Sequence, residues 1–437
     1  MAALMPDCRM QTIYKVTNVD DKKNMTLVLD PPDNFGHHMP PVCPHGPTLL
    51  FYDKSTSYHY YACSASRDHQ FCPFKLSAQK WKRLASSKNM IKNPERIKPD
   101  YQYLLNHPAR HGYCLDCCRV LIAVVKDEQV LAKHYESEHD KCKNRIDDQQ
   151  FQELVERPCR NLLTPQTRNE NLAQYFFSAQ TLLFIRDYLV KPFGFDKILC
   201  IGCPTVHEQL LSLSHNSFLL DLDARYHQFY EADRFARFNM FNGHFFDQHG
   251  LKSFEQFIQH NNSILILIDP PFGGLIECLA RTVHRMCNRR MTEISIALFF
   301  PYFNEHWIRK AFESDQVQIT DFIVTYDNHT KYGSRQSSKP STVAQSPVRM
   351  FTNLNLANFS AIDPDQYRWC DQCSRTIFLN NRHCNRCGQC PARDSTKPIW
   401  HCVQCGRCAK ITSSHCNRCN SCHLPNKHIN NKIINKQ

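Results

Sequence analysis

Long apolar segments are missing from this sequence of 437 residues. The longest apolar runs are ILILI at 264–268 and IALFF at 296–300, whereas a membrane-spanning helix needs about 20 consecutive apolar residues. The polar opening, MAALMPDCRM followed by TIYKVTNVDDKKN, also lacks the apolar core of a secretory signal. We therefore expect a chain without membrane spans in a reducing, intracellular compartment.

Cysteine and basic residues, by contrast, are abundant. The 24 cysteines fall largely into Cys-x-x-Cys pairs near histidines, and in a chain without a secretory signal this spacing favours metal binding over disulfide bonds. The 53 Lys and Arg against 41 Asp and Glu give a net charge of +12, which favours a polyanionic partner. Residues 365–437 hold twelve Lys and Arg against three Asp, and this tail stays basic after zinc-bound thiolates are counted.

The composition divides the chain into consecutive regions. Residues 1–40 are polar and contain proline, which predicts a disordered N-terminal arm. Cysteines and histidines at metal spacing assign 41–80 to a first zinc finger and 81–150 to a second finger with a linker. Residues 155–360 alternate helical and strand patterns, 365–425 form a Cys/His-rich array, and 426–437 are a polar tail.

The region 155–360 is predicted to be an α/β domain. Buried-strand patterns occur at 197–202, 217–223, 264–272, 294–300, 319–326 and 348–353, and helical patterns occur at 172–191, 205–214, 274–289 and 304–313. This alternation is typical of a mostly parallel sheet with helices on both faces. Segment 328–347 has no apolar period, so we expect a flexible loop beside the active site.

The motif Asp269-Pro270-Pro271-Phe272 ends the most apolar strand pattern of this domain. Ligands of open parallel sheets bind beyond the carboxyl ends of the strands. An exocyclic amine on an aromatic base is a poor nucleophile because its lone pair is delocalised into the ring. A carboxylate and a backbone carbonyl that accept both N–H hydrogens expose this lone pair to a methyl donor, and the aromatic ring offers a stacking surface. The motif therefore predicts amine methylation, and a plain strand end at a Pro-Pro turn is the alternative.

The same domain has the pattern of a cofactor site. The strand 197–201 leads into a turn at Gly202 with one glycine, where α/β methyltransferases usually have several. An acidic residue about twenty positions further along commonly binds the cofactor ribose. Asp221 is the first choice for this residue, Asp223 is the second, and for either a solvated strand end is the alternative.

Two predicted finger modules precede the α/β domain. The first offers four ligands for one tetrahedral zinc, and its aromatic residues either stack on unpaired bases or form the small core of the module. The ligands are Cys43, His45, Cys63 and Cys72. The second module has Cys₂His₂ ligand types at Cys114, Cys117, His134 and His139, with Cys118 and Cys142 as rival ligands.

The array repeats a His-Cys-x-x-Cys-x-x-Cys unit after a first Cys-x-x-Cys pair. Three Cys₃His sites result if each pair takes the His that opens the next unit and the last Cys of that unit, although pairing between neighbouring units is an alternative. These sites are Cys370/Cys373/His383/Cys390, Cys384/Cys387/His401/Cys408 and Cys402/Cys405/His415/Cys422. Cys416 and Cys419 remain with His423 or His428, so we expect an incomplete last site. Zinc is required here because so few apolar residues cannot otherwise hold a fold.

Eight longer motifs resemble the zinc-knuckle (CCHC zinc finger) family of large-subunit rRNA adenine N6-methyltransferases, over nearly the whole chain. They are VCPHGPTLLF at 42–51, YYACSASRD at 60–68, AQYFF at 173–177, LLDLDARYHQFY at 219–230, FNMFNGHFFD at 238–247, DPPFGGL at 269–275, YDNHTKY at 326–332 and QSPVR at 345–349. The first two resemble a GRF-type finger. The CCHC knuckle that follows the array in this family does not occur in the printed sequence.

The resemblance implies a Rossmann-like class I methyltransferase domain flanked by small zinc-finger modules, of GRF type at 41–80 and C2H2 type at 81–150. It implies N6 methylation of adenosine in large-subunit rRNA with S-adenosyl-L-methionine, structural Zn²⁺, ribosome-biogenesis partners, a role in rRNA processing, and a nuclear (nucleolar) and cytoplasmic location. By resemblance, Asp269 to Phe272 hold the target base. The implied cofactor contacts are Gln174, Tyr175, Phe176, Phe177, Gly202, Asp221, Asn239, Met240 and Asp269.

Three functions remain open from the sequence. The leading one is an RNA adenine N6-methyltransferase. A second keeps the Asp-Pro-Pro-Phe motif but changes the acceptor to a DNA adenine or a glutamine amide, and the basic, aromatic fingers favour a nucleic acid over the amide. A third is a zinc-finger RNA-binding scaffold with an inactive methyltransferase fold, against which the intact motif at Asp269 argues.

Overall fold

A computed structural model describes most of the chain, in two compact units. Unit 1 comprises residues 1–176 and 196–294, and unit 2 comprises 177–195 and 295–437. The described residues are 13–15, 25–28, 39–65, 72–86, 110–116, 118–122, 144–165, 174–259, 263–287, 294–329, 345–394 and 398–424. Most of the loop predicted at 328–347 and the predicted tail 426–437 lie outside these ranges. Within them, no helix has the length and apolarity needed to cross a membrane.

The first finger in unit 1 is built around a five-stranded antiparallel sheet of order β1-β2-β5-β6-β7. Its strands are β1 (Ile13–Lys15), β2 (Met25–Val28), β5 (Leu49–Asp53), β6 (Tyr58–Ala62) and β7 (Lys75–Ser77), and the hairpin β3 (Val42–Cys43)–β4 (Gly46–Pro47) and helix α1 (Ala78–Ser86) complete the module. Two segments of the arm predicted for 1–40 are thus strands. Leu27 and Val28 are buried, and β2 pairs with β5, so tertiary burial overrides the polar composition of this region.

The second module packs against the methyltransferase region of unit 1. Its sheet has the order β10-β8-β9, from β8 (Arg110–Cys114), β9 (Arg119–Ile122) and β10 (Arg145–Ile146), and helices α2 (Asp148–Leu154) and α3 (Pro158–Asn161) follow. The Gln228 side chain joins the two parts, since its Oε1 accepts from Val120 N at 2.9 Å and its Nε2 donates to Cys118 O at 3.0 Å. The oxygen and the nitrogen of this buried side-chain amide therefore both have hydrogen-bond partners.

The methyltransferase region of unit 1 has the strand order β14-β13-β12-β11-β15. The strands are β11 (Lys197–Ile201), β12 (Ser217–Asp221), β13 (Phe235–Asn239), β14 (His244–Phe245) and β15 (Ile264–Ile268), with helices α4 (Pro204–Ser212), α5 (Gln248–Ile258) and α6 (Ile276–Cys287). Strands β13, β12, β11 and β15 are parallel, and β11 and β15 are buried at every position, as strands covered on both faces are. Their carboxyl ends share one edge, the ligand-binding edge of Rossmann-like sheets.

Unit 2 contains an antiparallel sheet and the Cys/His array. The sheet strands are β16 (Ser295–Pro301), β17 (Gln318–Ile323) and β18 (Val348–Thr352), of order β16-β18-β17, accompanied by helix α7 (Glu305–Ala311). The helix predicted over 172–191 begins at Ala179 and continues as a π-helical segment, Ile185–Val190. It starts late because Ser178 is extended and its Oγ accepts from Thr181 N, which makes Ser178 the N-cap.

Three antiparallel hairpins form the array of unit 2. They are β19 (Tyr367–Cys370)–β20 (Arg375–Phe378), β21 (Ile399–Cys402)–β22 (Arg407–Lys410) and β23 (Ser414–Cys416)–β24 (Ser421–His423). The first hairpin is joined to β17 through Asp321, whose fully buried Oδ2 accepts from Phe378 N and from Asn381 Nδ2, each at 3.1 Å. Its Oδ1 lies 3.8 Å from Arg393 Nη1. The start of the array is therefore part of the unit 2 core.

The position of Asp321 predicts a large stability effect. Asp321→Ala leaves the Phe378 N–H without its acceptor and removes one of the two acceptors of Asn381 Nδ2, while Arg393 keeps its pair with Glu305. We therefore expect the free energy of unfolding of the full chain to fall by about 2 kcal/mol. Asp371→Ala, at an exposed position in the first hairpin, is the control and should change it by less than about 0.5 kcal/mol. Denaturant unfolding measures both, and equal effects would contradict this role for Asp321.

Candidate active site and zinc centres

Gly202 and Asp269 meet at the carboxyl edge of the parallel strands. Gly202 follows β11 with φ +68°, and a Cβ added to it would lie 2.8 Å from the Asp269 carbonyl oxygen and 3.0 Å from Met240 Cε. The adjacent backbone is tied down, since Gly202 N donates to Leu220 O and Asp269 N donates to Ile201 O. A side chain has no room here, so the single glycine of this turn provides the close approach, where α/β methyltransferases usually have several glycines.

The Asp269-Pro270-Pro271-Phe272 segment follows β15 and leads into a tight turn that spans residues 271–274. Gly274 N donates to Pro271 O at 2.7 Å, and a Cβ on Gly274 would lie 2.6 Å from Phe241 Cζ. The rings of Phe272 and Tyr175 stack with centroids 6.0 Å apart. The turn therefore brings a carboxylate and an aromatic pair to the ligand-binding edge, as the predicted base site requires. These catalytic assignments remain predictions.

Asp221 ends β12 and is half-buried beside the glycine turn. Its Oδ1 accepts a hydrogen bond from Asp223 N at 2.9 Å. Burial raises the pKa of the Asp221 carboxyl to about 7, because desolvation disfavours the charged form. Two ribose hydroxyls that donate to this carboxylate would stabilise its charged form, so the residue fits a cofactor ribose.

Asp223 is the second candidate for the ribose contact, and its carboxylate already bonds to other side chains of the protein. Arg225 pairs with its carboxylate at 2.7 Å, and Gln174 Nε2 donates to its Oδ2 at 2.7 Å. Gln174 also donates to the Tyr226 hydroxyl and accepts from Arg225 Nη2. These contacts favour Asp221 for the ribose contact. They also show that Gln174 anchors its own segment to Asp223, Arg225 and Tyr226, an arrangement that the sequence did not reveal.

Asn239 and Met240, at the end of β13, were predicted to contact the cofactor adenine. The Asn239 amide is buried and donates to His45 O at 2.7 Å and to Ser64 Oγ at 2.9 Å, both in the first finger. Met240 lies over Gly202. The structure thus shows a finger contact for the Asn239 side chain, and the adenine contact remains a prediction.

The aromatic residues after Gln174 divide between the two units. Phe176 is buried in unit 1, whereas Phe177 is buried in unit 2, where its ring lies 5.0 Å from that of Phe299 and 5.2 Å from that of Tyr326. Phe177 is therefore a core residue of unit 2, and its predicted cofactor contact stays untested.

Four sets of Cys and His side chains have the geometry of a tetrahedral zinc site. In each set the ligand atoms lie within 4.8 Å of one another, and the shorter Sγ···Sγ and Sγ···Nδ1 separations are 3.0 to 3.8 Å. Zinc with bonds near 2.3 Å to sulfur and 2.0 Å to nitrogen places its ligands about 3.5 Å apart, so these residues fit the ion. Site 1 is Cys43/His45/Cys63/Cys72, site 2 is Cys370/Cys373/His383/Cys390, site 3 is Cys384/Cys387/His401/Cys408 and site 4 is Cys402/Cys405/His415/Cys422.

Sites 2 to 4 show the interleaved pairing that the repeat predicted. Among the described residues, a fifth group contains Cys416, Cys419 and His423, while His428, the alternative histidine of the predicted last site, lies outside them. The Cys419 backbone N–H lowers the pKa of the Cys416 thiol to about 6, so a thiolate is available for a metal at neutral pH.

The second finger is described in part. Cys114 is buried, while Cys117, His134, His139 and Cys142 lie outside the described residues. The rival ligand Cys118 is buried too, and its Sγ accepts a hydrogen bond from Thr164 N at 3.5 Å. The Cys₂His₂ assignment therefore remains a prediction.

A Rossmann-like parallel sheet with a glycine turn and an Asp-Pro-Pro-Phe segment at its carboxyl edge defines an S-adenosylmethionine-dependent methyltransferase. A family profile described as "Probable N6-adenine methyltransferase" matches residues 168–355.

Proteins named rRNA N(6)-adenosine-methyltransferase ZCCHC4 are also similar to this chain. The Homo sapiens protein is 35% identical over 391 residues, covering 82% of this chain and 72% of its own length. The Xenopus laevis protein is 33% identical, covering 78% and 72%, and that of Mus musculus is 34% identical, covering 79% and 70%. The chain therefore belongs to the N6-adenine methyltransferase family of these proteins.

The raised pKa of Asp221 predicts a pH-dependent cofactor affinity. Below about pH 7 the carboxyl is protonated in the ligand-free protein and is a poorer acceptor for ribose hydroxyls, so affinity for S-adenosylmethionine should rise between pH 6 and pH 7 by up to about tenfold and then level off. Calorimetric titration across this range measures it. Asp221→Asn should remove the dependence, whereas Glu208→Gln, at another buried carboxyl of raised pKa, should retain it. A pH dependence that survives in Asp221→Asn would contradict the assignment.

The fifth group, for which the described part of the chain supplies three ligands, predicts a loosely held zinc. Three protein ligands hold the ion less tightly than four, so a chromogenic chelator should remove zinc from Cys416, Cys419 and His423 before the complete sites. The double variant Cys416→Ser/Cys419→Ser should lose the fast phase of zinc release, and Ser414→Ala, in the same hairpin, should keep it. An unchanged fast phase in the double variant would show that the fast-released zinc comes from elsewhere.

Proposed function

We propose that this protein transfers a methyl group from S-adenosylmethionine to the N6 amine of an adenosine in large-subunit rRNA. The observation that supports this most directly is the Asp269-Pro270-Pro271-Phe272 turn, placed against Gly202 at the ligand-binding edge. The similar proteins from three organisms are named for methylation of rRNA at adenosine N6, which supports rRNA over DNA or a glutamine amide.

The side chains at this edge have distinct tasks in the proposed reaction. S-adenosylmethionine supplies an electrophilic methyl group when bound. The Asp269 carboxylate and the Pro270 carbonyl accept the two N–H hydrogens of the adenine amine, which turns its lone pair out of conjugation with the ring. Phe272, stacked on Tyr175, provides an apolar surface for the base. Positioning and electrostatics therefore replace a catalytic metal, and the zinc ions are structural.

The array in unit 2 has surface features suited to RNA. A groove of about 750 Å³ is lined by residues of the second and third hairpins, among them Arg407 and Lys410. Ile411, which also lines this groove, is exposed. Trp400 is exposed too, and its indole N–H donates to Lys410 O at 3.2 Å. Basic side chains close to an exposed indole match the two components of single-strand binding, which are phosphate attraction and base stacking.

The location of the protein and its association with ribosome biogenesis follow from an rRNA substrate. Large-subunit rRNA is made in the nucleolus and acts in the cytoplasm, so we propose both locations and partners among ribosome-biogenesis proteins. The net charge of +12 supports residence with RNA. A fluorescent fusion excluded from the nucleolus would contradict this part of the proposal.

Asp269→Ala should separate chemistry from cofactor binding. Loss of a positioned acceptor for the base amine should lower single-turnover methylation of an rRNA fragment by at least about a hundredfold, while affinity for S-adenosylmethionine changes little. Asp233→Ala, at a side chain that is 74% exposed, is the control and should react as the unaltered protein does. Normal turnover by Asp269→Ala would refute the proposed role of this carboxylate.

A further inference from the structure

The turn between β13 and β14 is held on two sides by a pair of asparagines. Asn239 Oδ1 accepts from Phe241 N, and Asn242 Oδ1 accepts from His244 N, each at 3.0 Å. These bonds fix the turn internally, and Gly243 N closes it by donating to Asn239 O at 2.9 Å. Both amide nitrogens remain to donate elsewhere.

The two amide nitrogens donate to the first finger. Asn239 Nδ2 reaches His45 O at 2.7 Å and Ser64 Oγ at 2.9 Å. Asn242 Nδ2 reaches Pro47 O at 2.8 Å and Ser64 Oγ at 3.1 Å. Asn239 and Ser64 are almost fully buried, so each bond left unmade would have a desolvation cost.

The acceptors of these bonds lie on two loops that zinc site 1 joins. His45 is itself a site 1 ligand, Pro47 follows it by two positions, and Ser64 follows the ligand Cys63. Cys63 Sγ and His45 Nδ1 are 3.4 Å apart. A zinc ion that binds both loops therefore sets the distance between the acceptors that the two asparagines span.

The contact surface around these bonds is also closely fitted. Gly46 has φ +92°, and a Cβ on it would lie 2.7 Å from His244 Cδ2. On the other side of the turn, Met240 contacts Gly202 so closely that a Cβ added to Gly202 would lie 3.0 Å from Met240 Cε. The same turn therefore contacts the finger through His244 and the glycine of the predicted cofactor site through Met240.

We propose that zinc site 1 positions the cofactor site: through Ser64, Asn239 and Asn242 it fixes the β13–β14 turn, which sets Met240 against Gly202. The finger then acts on affinity for S-adenosylmethionine in addition to any contact it makes with RNA. This inference rests on the proposed function, since it assumes that the edge at Gly202 binds S-adenosylmethionine.

Ser64→Ala in the full chain tests the proposal without altering a zinc ligand or a predicted cofactor residue. It removes the shared acceptor of both asparagines, so we expect the Kd for S-adenosylmethionine, measured by calorimetry, to rise about five- to tenfold. Amide hydrogen exchange of residues 239–245 should quicken before any cofactor is added. In steady state, KM for S-adenosylmethionine should rise while KM for RNA stays within twofold. Ser64→Thr, which keeps the hydroxyl, should restore part of the affinity.

Ser55→Ala is the matched control. It removes a hydroxyl from an exposed turn of the same finger, where, among the described residues, Ser55 bonds to Asp53 within that turn. This variant should bind cofactor as the unaltered protein does. Zinc content should be the same in all three variants. If Ser64→Ala proves unstable, Asn242→Ala replaces it, with the same expected changes in Kd and exchange.

The outcomes separate this inference from the proposed function. Unchanged cofactor affinity and unchanged exchange in a folded Ser64→Ala protein overturn the inference alone, as does a rise confined to KM for RNA. An unaltered protein that binds S-adenosylmethionine but leaves rRNA unmethylated overturns the proposed substrate alone. An unaltered protein that does not bind S-adenosylmethionine overturns both.

Discussion

The close approach of Gly202 to the Asp269 carbonyl is the constraint on which the candidate active site depends. A methyl group between them would meet the carbonyl oxygen at 2.8 Å, so β11 and β15 can end side by side only with glycine at this position. That contact places the Asp-Pro-Pro-Phe turn next to the predicted cofactor site, and Asp221 ends the neighbouring strand β12. Methyl donor and base amine must meet within bonding distance, and this backbone contact brings their two predicted binding segments together.

Zinc has a different structural task at each end of the chain. In the first finger, site 1 joins the loops that receive hydrogen bonds from Asn239 and Asn242. At the array, site 2 closes the hairpin that Asp321 joins to β17. Site 3 joins the turn that holds Cys384 and Cys387 to the second hairpin, and site 4 joins the second hairpin to the third. Zinc binding thus supplies the folding stability that such short modules cannot obtain from an apolar core. At sites 1 and 2 it also stabilises surfaces that adjoin the methyltransferase strands.

Patterns that depend on local spacing were predictable from the sequence. The interleaved pairing of sites 2 to 4 follows from the repeat, and all six predicted strands of the α/β region occur, as do the predicted helices after Gly202, Gly274 and Asn304. Strand β13 and helix α5 were not predicted. Phe235–Asn239 mixes buried apolar residues with Arg237, and it becomes a strand through its pairing with β12.

Features that depend on distant contacts were not predictable. Nothing local to Asn242 or Ser64 indicates a bond between residues 178 positions apart, and the Asp223 carboxylate accepts a hydrogen bond from Gln174, which lies 49 positions away. The strands at 13–15 and 25–28 likewise depend on β5, which supplies the neighbouring strand and the burial that a polar segment lacks. In each case the partner is far away in sequence, so composition and periodicity do not reveal it.

The proposed rRNA methyltransferase activity is tested most directly by a map of N6-methyladenosine in large-subunit rRNA from cells with and without the gene. We expect one or a few adenosines to lose the modification when the gene is absent. They should regain it when the unaltered protein is restored, but not when the Asp269→Ala variant is. An rRNA methylation map that is the same in all of these cells would contradict it.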